Sequence, residues 1–250
     1  MAPMDLTDIP AADGTAEAYV ARPVSGSGPG VLLCIDAIGL RPQIASMADR
    51  IASWGYVVLA PNVFYRSGTA AETSPDVDLT QPGAREAFFE TVGPRMAEVT
   101  PDRAVADLGD YVTTLRGLDG VSDGPLGVTG YCMGARLATW AATHHPDEIA
   151  AVGGFHGGGL VTDDPQSPHA KLADARAEFV YGHADHDDSM PPEAVAALGE
   201  ALSSAGLTAK NEVYADAPHG YTMADTSMYQ EAGAERMFTE LEALFARTLR

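Results

Sequence analysis

Five short, nearly continuous apolar runs, separated by stretches of helical period, constrain the fold of this chain more than any other feature. They cover residues 31–35, 56–60, 126–130, 149–152 and 177–181. Runs of this kind suit strands buried on both faces of a sheet. A sixth run, 211–214, alternates in polarity and belongs toward an edge. Helical periodicity falls between the runs, at roughly 42–54, 103–117, 133–144, 192–205 and 229–249. Such alternation implies right-handed crossovers and an α/β fold, a mainly parallel sheet with helices on both faces. The 250 residues suffice for one domain spanning 1–250 with a full core. Residues 66–82, polar and without period, are expected to form a lid or binding loop.

Charge narrows the partners. With 35 acidic and 15 basic residues the net charge is −20, which repels phosphate backbones and anionic lipid heads. Nucleic acid and membrane partners are therefore not expected, and a small-molecule substrate is. Two cysteines, Cys34 and Cys132, make no disulfide framework. The first residues lack the layout of a signal peptide, and no apolar run is long enough to span a bilayer. A soluble cytoplasmic protein, monomeric or a small homo-oligomer, is the expectation.

The run at 126–130 leads straight into a helix through Gly130-Tyr131-Cys132-Met133-Gly134. A glycine on each side of a nucleophile permits a turn so tight that a side chain there would collide. The turn exposes the sulfur at the carboxyl edge of the sheet, above a helix N-terminus that favours thiolate and offers N–H groups to an oxyanion. Cys34, inside an apolar run, is expected to be structural. A nucleophile needs a base, and the base an orienting acid. His219 lies in a loop between Pro218 and Gly220, 34 residues after Asp185, which itself follows Cys132 by 53. Asp185 is taken as the acid, with Asp187 and Asp188 as competitors. His183, Asp185, His186 and Asp187 also admit a metal-ligand reading, but no second ligand group with suitable spacing stands elsewhere, so no metal and no cofactor are expected. His144 and His145 suit the C-terminus of a helix.

Taken in order, several motifs resemble those of the dienelactone hydrolase family across about 14–249. They are Ile35-Asp36-Ala37-Ile38-Gly39, the stretch from Gly55 to Asn62, the cysteine elbow, Phe155-His156-Gly157, Gly182-His183-Ala184-Asp185 and Pro218-His219-Gly220. The resemblance implies an α/β-hydrolase fold, a triad of Cys132, Asp185 and His219, and an oxyanion hole from the Met133 and Ala37 amides. It also implies that Asp36 modulates the nucleophile, since the family carries a glutamate there, beside a resting thiol. The competing reading of Asp36 is a strand-end cap. Arg85 matches one of two arginines with which the family grips a substrate carboxylate. The second would stand at Met223, a loss that Arg41 or Arg66 would have to make good. His156 is expected to contact substrate or shape the pocket, and Tyr65 and Tyr131 to pack.

The function implied is hydrolysis of a small ester or lactone through a thioester on Cys132. A thioesterase or acyl transferase on the same residues is the alternative enzyme, and a thiol sensor or ligand-binding protein the non-enzymatic one.

Overall fold

A computed structural model describes residues 4–249. Its strands are β1 (Leu6–Ala11), β2 (Gly14–Ala21), β3 (Gly30–Cys34), β4 (Val57–Pro61), β5 (Leu126–Tyr131), β6 (Ile149–Phe155), β7 (Glu178–His183) and β8 (Ala209–Val213). They form one sheet in the order β1-β2-β4-β3-β5-β6-β7-β8. β1 and β2 make an antiparallel hairpin, and β2 pairs antiparallel with β4. From β4 to β8 every pairing is parallel. All residues of β3, β4 and β5 are buried, which is why they read as unbroken apolar runs. β8 is the edge strand its alternating polarity suggests. The hairpin was not legible as apolar runs, because Thr7, Asp8 and Pro10 face solvent.

The helices are α1 (Pro42–Ser53), α2 (Ala70–Thr73), α3 (Ala84–Phe89), α4 (Gly93–Glu98), α5 (Pro101–Gly117), α6 (Met133–His144), α7 (Pro192–Ser204) and α8 (Glu231–Thr248). Proline opens α1, α5 and α7, where a missing N–H costs nothing, and the Thr100 hydroxyl caps α5. His144 closes α6 through Nδ1 on the Trp140 carbonyl, 3.0 Å away. Neighbouring glycines of β6 show that helices cover both faces. A Cβ at Gly153 would meet Leu241 of α8 at 2.6 Å, and one at Gly154 would meet Ala135 of α6 at 3.4 Å.

Residues 66–82 are less open than a lid would require. α2 folds there under a Thr69–Glu72 capping box, Leu79 is buried, and its carbonyl accepts from the Ser227 amide. The short helix α3 that follows is what supplies side chains to the cleft. Every candidate site residue outside α3 lies just beyond the carboxyl end of a parallel strand: Asp36 after β3, Cys132 after β5, His156 after β6, Asp187 after β7 and His219 after β8. In open α/β sheets this edge is where ligands bind.

Candidate active site

Cys132 sits at φ 53° and ψ −120°, in a region that side chains rarely adopt. The two glycines make this possible. A Cβ at Gly130 would lie 2.0 Å from the Gly134 carbonyl oxygen, and one at Gly134 would lie 2.2 Å from the Cys34 carbonyl oxygen. The strained backbone is held on both sides. Its N–H donates to the Phe155 carbonyl at 3.1 Å, and its carbonyl accepts from Ala135 and Gly158, each at 3.2 Å. Cys34 is buried in β3, and burial pushes its thiol far up.

His219 meets the elbow from the loop after β8. Its Nε2 lies 3.1 Å from Cys132 Sγ, and its Nδ1 lies 2.7 Å from Asp187 Oδ2. The acid beside the histidine is thus Asp187 and not Asp185, which corrects the expectation from sequence. The physical reason is the turn after β7. His186 adopts φ 51°, so the chain doubles back after Asp185 and delivers Asp187 to the cleft. Asp185 instead clasps two loops together, its amide donating to the Ala217 carbonyl and its carboxylate accepting from the Asp216 amide. The four candidate metal residues do not converge on one point among the described residues: His183 bonds Asn211, Asp187 bonds His219, and Asp185 bonds the Asp216 amide with the exposed His186 ring beside it.

Electrostatics follow the geometry. Burial by itself would lower the His219 pKa, but the hydrogen bonds to Asp187 and to the Cys132 sulfur outweigh it and raise the value to about 10. Asp187 is half buried, which opposes ionisation, yet the His219 hydrogen bond and charge hold it below the usual carboxylate range. Its Oδ1 accepts from the Ser189 amide at 2.9 Å.

His156 is fully buried at φ 36°, its Nε2 2.7 Å from Thr222 Oγ1 and its ring 5.3 Å from that of His219. Burial, and then the neighbouring His219 charge, push its pKa well down, so it stays neutral. It lines the same cleft as Cys132 and His219, together with Ala37, Ile38, Arg85, Phe89 and Met223. The Arg85 guanidinium lies 4.6 Å from the Phe89 ring centroid. Tyr131 is buried beneath the elbow, and Tyr65 hydrogen-bonds Asp107 away from it.

Asp36 reaches the cleft, but its carboxylate belongs to Arg41. Arg41 Nη1 and Nη2 bond its two oxygens at 2.6 and 3.1 Å, and Ile38 N–H adds a third bond at 3.0 Å. The last contact is the strand-end cap. Arg41 also grips Asp225 through Nε and Nη2, and Nη2 lies 3.4 Å from Met223 Sδ. With a further bond from Nη1 to the Gly39 carbonyl, its donors are spent within the protein. Arg66 is committed to Asp13 and Asp107. Neither arginine therefore replaces the one absent at Met223. Arg95, which sequence did not single out, bonds the Ala37 carbonyl at 2.6 Å, so the Ala37–Ile38 peptide is fixed at both ends. Among the described residues, no protein acceptor is hydrogen-bonded to the Ala37 or Met133 amide.

The family model for the dienelactone hydrolase family matches residues 16–249. The chain belongs to that family. A Salmonella typhi relative named "Putative carboxymethylenebutenolidase" is 29% identical over 248 residues, 97% of this chain and 86% of its own. A carboxymethylenebutenolidase of Rhodococcus opacus is 29% identical over 198 residues, 79% of this chain and 71% of its own. A solved Klebsiella pneumoniae structure, named as a "Putative Dienelactone Hydrolase", superposes with a TM-score of 0.79 at 26% identity over 97% of both chains. This dienelactone hydrolase family protein is thus a hydrolase with the α/β-hydrolase fold. Among the described residues, no helix is long and apolar enough to cross a membrane.

Proposed function

We propose that this protein hydrolyses a small ester or lactone through a thioester on Cys132, with His219 as base and acid and Asp187 behind it. One observation carries the reading: the unbroken row from Cys132 Sγ through His219 Nε2, 3.1 Å away, and His219 Nδ1 to Asp187 Oδ2, 2.7 Å away. His219 Nε2, within hydrogen-bonding reach of Sγ, takes the thiol proton, so that Cys132 attacks as the thiolate.

The thiolate adds to the substrate carbonyl, forming an S–C bond while the π electrons move to oxygen. The oxyanion takes the free Ala37 and Met133 N–H groups, the second of which opens α6, where the helix dipole favours negative charge. Collapse expels the alkoxide, which takes the His219 proton. In a lactone the alkoxide stays attached to the acyl group. Water then attacks the thioester, His219 accepts its proton, and the thiolate leaves. Asp187 holds Nδ1–H throughout, fixing the ring and stabilising its charge. His156, neutral and packed against His219, shapes the floor of the pocket.

Asp36 takes a structural part in this reading, since its oxygens are saturated by Arg41 and Ile38. Arg85, over Phe89 and paired with no carboxylate among the described residues, is the cleft residue that would meet a negatively charged substrate group. The test is hydrolysis of p-nitrophenyl butyrate by the wild type and by Cys132→Ala. The variant is expected to lose turnover, and undiminished turnover would refute the assignment.

A further inference from the structure

His156 lines the cleft, is wholly buried, and takes no proton in the proposed reaction. Its place in the chain ties it to the nucleophile. The Phe155 carbonyl before it accepts from the Cys132 N–H at 3.1 Å, and the Gly158 N–H after it donates to the Cys132 carbonyl at 3.2 Å. Its own N–H donates to the Gly182 carbonyl at the end of β7, at 2.8 Å. These bonds hold it at φ 36°, an uncommon value for any residue but glycine.

The ring of His156 faces the base. Its Nε2 lies 2.7 Å from Oγ1 of Thr222, three residues after His219 and itself buried. Residues 218–223 fold as two successive turns. Tyr221 N–H donates to the Pro218 carbonyl at 3.0 Å, and Met223 N–H donates to the Gly220 carbonyl at 2.9 Å. A bond that holds Thr222 therefore holds His219. The His156 ring also packs edge-on against His219 at 5.3 Å and Tyr221 at 5.1 Å, and lies 6.2 Å from Tyr131, the residue before the nucleophile.

Among the described residues, His156 Nδ1 is buried without a hydrogen-bond partner, and Nε2 is taken by Thr222. The ring therefore has no exposed polar atom to offer a substrate. A buried polar ring on a strained backbone costs stability that a packed Phe would not. We propose that His156 and Thr222 form a positioning latch, which holds the base-bearing loop 218–223 where His219 Nε2 meets Cys132 Sγ. Asp187 fixes the rotation of the His219 ring from the β7 side, and the latch fixes the place of its loop from the β6 side. For its effect on turnover the latch rests on the hydrolase reading; for its effect on thiol reactivity it rests on the Cys132–His219 contact alone.

The experiment compares the wild type with Thr222→Val, which keeps the shape and removes the hydroxyl, and with Thr222→Ser, which keeps the hydroxyl. In Thr222→Val, kcat for p-nitrophenyl butyrate should fall by about tenfold or more while KM stays within about twofold, and Thr222→Ser should recover most of the loss. Alkylation of Cys132 by iodoacetamide at neutral pH, followed by mass spectrometry, should slow by about fivefold or more in Thr222→Val. In a His219→Ala background the same substitution should change the alkylation rate no further, because no base remains to be positioned. The paired replacement His156→Phe/Thr222→Val leaves no polar atom of the pair unmatched, so it should fold and show the same losses as Thr222→Val. Wild-type alkylation in Thr222→Val or in the paired variant, an equal slowing in the His219→Ala background, or no recovery in Thr222→Ser overturns the latch. If the wild type turns over no ester, the hydrolase reading fails while the alkylation rates still decide the latch.

Discussion

Asp187 Oδ2 lies 2.7 Å from His219 Nδ1, whereas Asp185, two residues earlier, has its carboxylate on the Asp216 amide. The two carboxylates share a loop and have different work. Asp187→Asn should lower kcat for p-nitrophenyl butyrate by at least about a hundredfold, because the ring loses its orienting acceptor and its charge partner. Asp185→Asn should keep most of the activity and lose some thermal stability. Steady-state kinetics of both variants check the assignment, and the opposite ranking would return the role to Asp185.

The same pair makes stability depend on pH. His219 has its pKa raised from the usual 6.5 to about 10 in the folded protein, so folding draws a proton onto it. Stability from this group is fully present below pH 6.5 and is lost as pH rises toward 10. Asp187→Asn removes the main raising partner. The melting temperature of the wild type should therefore fall more steeply between pH 7 and 10 than that of the variant. Parallel curves would mean that His219 is not held as the cation.

Most of the frame was legible in the sequence, and the reason is burial. β3, β4 and β5 are covered on both faces, so they are apolar almost throughout, Thr129 being the buried polar exception. The elbow was legible because both its glycines are sterically obligatory, and His219 because Pro218 and Gly220 give it no structural task. The Asp185/Asp187 choice was not legible. It turns on one positive φ at His186, a residue type that does not announce it. The Arg41 ion cluster escaped for a different reason, since Arg41 and Asp225 are 184 residues apart and meet only in the fold.

Gly130 and Gly134 carry a steric demand that single substitutions expose. Gly134→Ala places a methyl 2.2 Å from a backbone oxygen of β3, which cannot yield without moving the sheet. A loss of roughly 3 kcal/mol or more is expected, at or above the usual range for overpacking. Gly117→Ala, at the end of α5 with nothing within 4 Å, should be neutral or stabilise by up to about 1 kcal/mol. Urea denaturation of the two variants reads the contrast directly.

Arg41 holds two carboxylates, one of them, Asp36, almost wholly buried with it. Arg41→Met leaves the buried carboxylate uncompensated, and a cost of about 3–5 kcal/mol is expected. Adding Asp36→Asn to that variant should recover part of the loss, because the charge left behind is removed. Denaturation midpoints of the single and double variants test this, and a double variant less stable than the single one would contradict it.

Acylation of Cys132 is the step on which the proposed reaction turns. Intact-protein mass spectrometry after rapid mixing with p-nitrophenyl butyrate and acid quench tests it most directly. A single butyryl adduct should appear on the peptide containing Cys132, labile to hydroxylamine, and be absent from Cys132→Ala. Turnover by the wild type with no adduct at Cys132, or full turnover by Cys132→Ala, would contradict the account.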